Sequence, residues 1–252
     1  MAYSSREAKT WAKPIQSPAE EDQETPGPVR IAVLISNKGT GSNLQAIIDA
    51  REGGRLPQIE IGLVLSDASE AKGLGRAERH GLIHEVVKFG KREQRDADSQ
   101  ELGFSLNLAG IGIAVMAGWS RILTRPYFDT FRGVTINIHP GVLPNPDGSP
   151  FIFPDGSQAP SNKGLMTEKA VVNFLGGRYA GSTVHVATID ADSGPVLERT
   201  LVEVLPEDSV GSLYDRMKRE EWAALVRALQ DPAKIFKIGR RRVLDSGETP
   251  IE

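Results

Sequence analysis

The sequence predicts an α/β fold in which a mostly parallel, doubly wound (Rossmann-like) sheet ends in a late antiparallel hairpin. Short, continuously apolar runs such as residues 31–35 are typical of strands that are buried on both faces. These runs alternate with segments whose apolar residues recur at helical spacing, and such alternation indicates a parallel sheet. After residue 180 the alternation ends, and two strand-like runs flank a turn at residues 190–195, which indicates the hairpin.

The elements follow in order along the chain. The predicted strands are residues 31–35, 59–65, 85–89, 111–116, 134–138, 182–189 and 196–204. The predicted helices are residues 44–53, 71–80, 91–108, 121–131, 163–175 and 208–229. We expect Pro126 to interrupt the fourth helix, and Ser209 or Asp208 to cap the last one. Residues 145–162, called the proline-rich segment below, contain four prolines and are predicted to form a long loop, which in a compact domain is usually functional or mobile.

The chain is expected to divide into three parts. Residues 1–28 are rich in proline and acidic residues, lack the apolar core of a secretory signal, and are predicted to be a disordered extension. Residues 29–230 carry the alternating pattern and form the predicted domain. Residues 231–252 are predicted to be a C-terminal tail, whose basic run at residues 240–242 is solvated.

Composition excludes several classes of function. A net charge of -3 at pH 7 and a pI near 5.9 argue against a protein that binds phosphate backbones of nucleic acids. The absence of cysteine excludes disulfides and thiolate chemistry, and it fits a cytoplasmic protein. No apolar run approaches the roughly 20 residues of a membrane helix. The four histidines lack zinc-ligand spacing, and no Gly-x-Ser-x-Gly elbow occurs, so neither a metal nor a serine nucleophile is expected.

The turn after the first strand is a candidate for binding phosphate. Gly41, Ser42 and Asn43 lie where a strand passes into a helix, and ligands of such sheets sit beyond the carboxyl ends of the strands. Glycine lets a ligand approach the backbone closely, and the N–H groups that open a helix favour an anion. A tight strand–helix turn without any ligand explains the pattern equally well.

Asn137 and His139 end a predicted strand and are candidates for acyl-transfer chemistry. Residues two apart on a strand point to the same side, so this amide and this imidazole can address one ligand. Together they suit the stabilisation of a developing oxyanion. Asp192, in the hairpin turn, can orient the ring and favour its charged form if the two meet. A turn also selects aspartate and glycine for backbone reasons alone.

Four segments in register resemble the folate-dependent formyltransferases, and among them the glycinamide ribonucleotide formyltransferase family. The matching runs are residues 33–36 with 41–50, 116–123, 137–140, and 181–185 with 192–196, and they extend over roughly residues 30–229. The resemblance implies the fold of that family. It also implies transfer of a formyl group from 10-formyltetrahydrofolate to the amine of glycinamide ribonucleotide, in purine biosynthesis and without a metal.

The resemblance assigns roles residue by residue. It implies that Asn137, His139 and Asp192 are catalytic and that His185 supports them. The remaining implied contacts are with the two substrates. For the acceptor's phosphate and ribose they are Gly41, Ser42, Asn43, Lys218 and Glu221, and for the folate they are Arg92, Ser120, Arg121, Ile122 and Leu123. The resemblance does not imply an oligomeric state.

Two departures from the family leave the acceptor open. The turn ahead of Gly41 is longer than usual, and the proline-rich segment replaces a short connection that lies beside the site in relatives. The alternatives are a formyltransferase with another amine acceptor, a formyltetrahydrofolate hydrolase, and a non-catalytic folate- or nucleotide-binding regulator. A hydrolase would be expected to carry an N-terminal regulatory domain, and a methionyl-tRNA formyltransferase a C-terminal β-barrel. A mere binder has no need of Asn137, His139 and Asp192.

Overall fold

A computed structural model describes residues 27–36, 39–90 and 92–245, with side chains up to residue 239. The predicted extension at 1–28 therefore lies outside the described residues except for its last two. The strands are β1 (Val29–Ile35), β2 (Ile59–Ser66), β3 (His84–Val86), β4 (Ile113–Met116), β5 (Val134–His139), β6 (Tyr179–Val186) and β7 (Val196–Glu203). The helices are α1 (Ser42–Glu52), α2 (Lys72–Arg79), α3 (Arg95–Leu108), α4 (Arg125–Thr130), α5 (Thr167–Val172), α6 (Val210–Leu229) and α7 (Pro232–Asp245).

The seven strands form one sheet in the order β3-β2-β1-β4-β5-β6-β7. The strands from β3 to β5 are parallel, whereas β6 pairs antiparallel with both β5 and β7. The predicted fold class is therefore confirmed, including the late hairpin. The order reverses between β1 and β4, where crossover connections diverge and where ligands of doubly wound sheets commonly bind.

Each face of the sheet buries its own apolar layer. Alternate strand residues such as Ile31 and Val33 pack under α1, α2, α6 and α7. The intervening residues, such as Ala32 and Leu34, pack under α3 and α4. Because both faces are covered, the central strands read as continuous apolar runs, which is why they were recognisable in the sequence. Asn137 and His139 belong to the second set and face the α3–α4 side.

Several element boundaries differ from the predictions. Pro126 does not interrupt a helix but lies in the first turn of α4, where its missing N–H and fixed φ cost nothing. The helix predicted at 163–175 is reduced to α5, and a short 3-10 turn (Arg92–Gln94) precedes α3. Ser209 caps α6, and its hydroxyl accepts from the Ser212 amide at 3.1 Å.

The proline-rich segment contains two copies of one four-residue turn, Pro-Asp-Gly-Ser, at 146–149 and 154–157. In each copy the aspartate accepts hydrogen bonds from the serine amide and hydroxyl, and the glycine has positive φ. A single bridge pairs Ile152 with Gln158, and Phe153 is buried in a third apolar cluster with residues of α5 and α6. The loop prediction is confirmed in the sense that no helix or long strand forms there, but the segment is packed onto the domain.

Helix α7 lies within the predicted tail. Its Ile235 is fully buried against the sheet, and Gly239 approaches Val134 so closely that a Cβ there would lie 2.7 Å from a valine methyl carbon. Residues 232–239 therefore add to the apolar core of the sheet. The division into a domain at 29–230 and a tail at 231–252 stays a prediction. Among the described residues, no helix has the length and apolar character needed to cross a membrane.

Candidate active site

Asn137, His139 and Asp192 meet, although 53 or more residues separate the aspartate from the other two in the sequence. The pairing of β5 with β6 sets Asn137 opposite His185 and His139 opposite Thr183. The loop after β6 then folds back and brings Asp192 into contact with Asn137, His139 and His185. Asp192 has φ of 51°, and it is the one non-glycine residue with positive φ among those described. Aspartate tolerates this conformation, and local strain of this kind is often found at functional sites.

The ring of His139 lies between two acceptors and is almost fully buried. Its Nδ1 is 3.3 Å from Oδ2 of Asp192, and its Nε2 is 2.9 Å from the backbone carbonyl of Asn162. A carbonyl can only accept, so Nε2 carries a proton. A ring protonated at both nitrogens would donate to both neighbours, whereas a neutral ring with its proton on Nε2 presents a lone pair to Asp192.

The pKa of His139 lies below its ordinary value, with burial as the largest cause. The charge of Asp192 and the hydrogen bond to Asn162 both raise this pKa, and the neighbouring His185 lowers it. The expected effect of Asp192 on the ring is therefore present, but desolvation outweighs it. At neutral pH the resting ring is therefore neutral.

Asp192 remains ionised although burial, taken alone, would raise its pKa. Its pKa is lowered overall because His185 and His139 each lie within 3.3 Å of the carboxylate and the Gly164 amide donates to Oδ2 at 2.8 Å. The site thus holds a carboxylate as a stable anion beside an imidazole. Such a pair can accept, hold and return a proton.

His185 connects the other members of the site. Its Nδ1 donates to the Val186 carbonyl at 3.0 Å, which leaves Nε2 facing the site. Nε2 is 3.2 Å from the Asn137 amide nitrogen and 3.3 Å from Oδ1 of Asp192. The Asn137 amide nitrogen also lies 3.4 Å from the same carboxylate oxygen. His185 therefore orients the Asn137 amide, and the supporting role in catalysis predicted for it stays a prediction.

The turn from Gly41 to Asn43 has the geometry of an anion site. Gly41 has φ of 71° and packs against α2, where a Cβ would lie 2.7 Å from Cα of Gly73. Ser42 and Asn43 open α1, whose first turn has no side-chain cap and no acidic residue. The first N–H groups of this helix are thus available to an anion. Arg76 of α2 holds the turn by donating to the Thr40 carbonyl at 3.0 Å.

Lys218 and Glu221 lie on α6, which packs directly against α1. Lys218 is partly exposed, donates to Asp215 at 2.7 Å and lies over the ring of Tyr214. Glu221 is buried and accepts from the Ser182 hydroxyl at 2.7 Å. Burial raises the pKa of Glu221 to about 7, against the opposite effects of Ser182 and Lys218. The substrate contacts predicted for both residues stay predictions.

The residues predicted to contact folate follow β4. Ser120 donates through its amide and hydroxyl to the Ser36 hydroxyl, both at 3.0 Å, and Arg121 forms an ion pair with Asp67. The loops after β1, β2 and β4 therefore converge at one edge of the sheet. Leu123 is buried whereas Ile122 is exposed. Arg92 is exposed, and within the described residues no hydrogen bond or ion pair joins it to Asn137, His139 or Asp192.

A cleft of about 690 Å³ opens beside Asp192. One wall is the loop from Asp192 to Val196, and the other is formed by residues 143–148 at the start of the proline-rich segment. Lys163 is a cation at its lining, and Ile238 of α7 contributes apolar surface. The residues from Ser120 to Leu123 do not line this cleft. No group of acidic or histidine residues suited to a metal ion occurs in the described part of the chain.

Some residues that shape the site carry no sequence signal. Asn162 and Gly164 touch His139 and Asp192 through backbone atoms, which any residue type supplies. Ser36 and Asp67, in contrast, come directly after predicted strands. The rule that ligand-binding residues lie at the carboxyl ends of strands could therefore have identified both.

The chain is similar in sequence and in fold to formyl transferases. A profile described as formyl transferase matches residues 29–229. The phosphoribosylglycinamide formyltransferase of Haemophilus influenzae is 31% identical over 218 residues, which are 86% of this chain and 91% of that protein. The trifunctional purine biosynthetic protein adenosine-3 of Homo sapiens is 35% identical over 202 residues, which are 80% of this chain.

The trifunctional relatives are much longer than the matched region. The chain spans only 18% of the human protein and 14% of its Drosophila melanogaster counterpart. Among solved structures, glycinamide ribonucleotide transformylase 1 from Symbiobacterium toebii is similar, with a TM-score of 0.67 and 31% identity. That similarity covers 89% of this chain and 91% of the other.

Proposed function

The chain belongs to the formyl transferase family, and on this premise we propose that it transfers a formyl group from 10-formyltetrahydrofolate to the primary amine of glycinamide ribonucleotide. The reaction is a step of purine biosynthesis, and the relatives with the corresponding names support it. The observation that carries the proposal is the convergence of the Asn137 amide and the His139 imidazole on the Asp192 carboxylate, at 3.4 Å and 3.3 Å.

The first step is attack of the amine on the formyl carbon. A new C–N bond forms, and the carbonyl electron pair moves to oxygen to give a tetrahedral oxyanion. The Asn137 amide donates to this oxygen, and His139 donates through Nδ1 while that nitrogen holds the proton that the amine has given up through Asp192. One such donor typically contributes ~10²–10³ in rate. The amide is already oriented by His185, so little reorganisation accompanies the developing charge.

Proton transfer completes the reaction. The attacking nitrogen becomes positively charged and must lose a proton, and the leaving folate nitrogen must gain one. Asp192 is an ionised acceptor, and its Oδ2 lies 3.3 Å from Nδ1 of His139. The carboxylate takes the proton from the amine and returns it, directly or through a water, as the bond from carbon to folate nitrogen breaks. At the end of the reaction Asp192 is again ionised and the ring of His139 is again neutral.

We assign the two substrates to different parts of the structure. The uncapped start of α1 at Gly41, Ser42 and Asn43 suits the acceptor's phosphate, with Lys218 as a further cation on the neighbouring helix. The edge formed by residues 120–123 suits the pteridine of the folate, and Arg92 is a candidate for its glutamate carboxylate. Glu221 is the candidate for the acceptor's ribose. The cleft beside Asp192 gives a substrate access to the carboxylate.

A single optical assay tests the transferase. The purified chain is incubated with 10-formyltetrahydrofolate or a stable analogue, with and without glycinamide ribonucleotide, and deformylation is followed by absorbance. We expect turnover that requires the amine and that falls by at least ~10² in His139→Ala. His84→Ala removes an exposed ring outside the site and is the matched control, with activity expected to be unchanged.

The alternative functions give different results in the same assay. Deformylation without the amine indicates a hydrolase, and turnover only with another amine indicates a different acceptor. Folate binding without any turnover contradicts the proposal and leaves a binding protein. Water-driven turnover that survives in His139→Ala would show that the trio is not the catalytic centre.

A further inference from the structure

Asn162 ends the proline-rich segment and makes the contact that fixes the ring of His139. Its carbonyl accepts from Nε2 of His139 at 2.9 Å and from the Leu165 amide at 3.1 Å. The residue is 1% exposed, so water does not compete for this carbonyl. The ring is thus anchored on the side that faces away from Asp192.

The side chain of Asn162 is held at both ends. Its Nδ2 donates to the Ala170 carbonyl at 3.1 Å, and its Oδ1 accepts from the Asn173 side chain at 2.8 Å. Ala170 lies in the last turn of α5, where carbonyls lack partners within the helix. The amide therefore joins the end of the proline-rich segment to α5 and leaves the Asn162 carbonyl no freedom to turn.

The backbone of Gly141 packs closely against this same contact between His139 and Asn162. A Cβ at Gly141 would lie 2.6 Å from Cβ of Asn162 and 2.8 Å from Nε2 of His139. The glycine thus permits a close packing of His139 against Asn162 that any larger residue would disturb. The contact between His139 and Asn162 therefore belongs to the packed interior of the site.

We propose that Asn162 is a positioning residue, which through its clamped carbonyl fixes the proton of His139 on Nε2 and so presents Nδ1 to Asp192 and to the reacting group. If this carbonyl were released and turned away from the ring, the neutral ring would place its proton on Nδ1, because the Asp192 carboxylate is then the remaining acceptor. Only the consequence for catalysis rests on the proposed function, since the state of the ring is measurable by itself.

The test combines histidine nitrogen NMR with kinetics on the full chain. The chain has four histidines, so comparison with His139→Ala assigns the resonances. At pH 8 we expect the wild-type ring to be protonated at Nε2 and unprotonated at Nδ1. In Asn162→Leu, which keeps the volume but loses both amide contacts, we expect the pattern to invert, with kcat lowered about tenfold or more and KM changed less.

Two further variants separate positioning from a merely structural role. Asn173→Ala removes one clamp from an exposed position, and we expect a smaller change of the His139 resonances in the same direction. Ser157→Ala alters the second turn of the proline-rich segment and is expected to leave the resonances and kcat as in wild type. If Asn162 only caps α5, its replacement lowers the stability of the domain and leaves the His139 resonances unchanged. That result would contradict the positioning role.

The outcomes decide between the possibilities. An unchanged tautomer in folded Asn162→Leu overturns the proposal, and if that variant does not fold, an unchanged pattern in Asn173→Ala overturns it. An inverted tautomer in a chain that never transfers formyl groups supports the positioning role while refuting the proposed function. An inverted tautomer with undiminished kcat overturns the catalytic part of the proposal.

Discussion

Replacing Glu221 by glutamine is expected to change how the stability of the domain depends on pH. The carboxyl group is fully buried on α6, and its pKa rises from an ordinary 4.5 to about 7. Between these two values the folded chain holds a proton that the unfolded chain has lost. The contribution of Glu221 to stability is therefore fully present below pH 4.5 and is lost as the pH rises through about 7.

The magnitude follows from the size of the shift. One pKa unit corresponds to about 1.4 kcal/mol, so the shift from 4.5 to about 7 represents roughly 3 kcal/mol in total. Most of it, about 2 to 3 kcal/mol, falls between pH 5 and pH 8. Glutamine keeps an acceptor for the Ser182 hydroxyl but cannot ionise. The variant should therefore gain that amount relative to wild type when the pH is raised.

Urea unfolding at pH 5 and pH 8 measures this difference. With a slope of about 2–3 kcal/mol per molar urea, the wild-type midpoint should fall relative to that of Glu221→Gln by about 1 M. Other groups that titrate cancel because both proteins share them. Equal pH dependence in the two proteins would refute the reasoning, since Glu221 would then ionise at the same pH whether folded or unfolded.

Three other substitutions test the site and its frame. Asp192→Asn removes the proton acceptor. It is expected to lower kcat ~10²–10⁴-fold while the midpoint of urea unfolding changes little. Full activity in this variant would exclude the proton-transfer role of Asp192. Gly41→Ala places a Cβ 2.7 Å from Cα of Gly73 at a residue whose φ is 71°, so the turn must shift. The KM for the phosphate-bearing acceptor should therefore rise. An unchanged KM would show that the turn does not bind the phosphate. Tyr127→Phe leaves the buried Thr135 hydroxyl without the hydroxyl that lies 2.7 Å from it. The free energy of unfolding, measured in urea, should fall by about 1–3 kcal/mol. An unchanged value would mean that Thr135 forms another hydrogen bond.

The fold was predictable because its signals are local. A strand buried on both faces must be apolar throughout, and a helix that covers it must repeat its apolar residues every three or four positions. Residues 31–35 and 208–229 satisfy these rules and match β1 and α6. The helix predicted at 163–175 was too long because Gly164, with φ of 73°, forms a turn before α5, and the chain turns again after Val172.

The sequence by itself determined which residue types stand at the ends of β5 and in the hairpin turn, and hence the candidates for chemistry. Only the tertiary structure decided that Asn137, His139 and Asp192 meet, because the path of the loop after β6 depends on packing across the whole sheet face. It also decided the protonation of His139, since burial and a carbonyl from Asn162 act on the ring across 23 residues of chain. A backbone carbonyl is common to every residue, and desolvation is a property of the assembled fold, so neither leaves a pattern in the sequence.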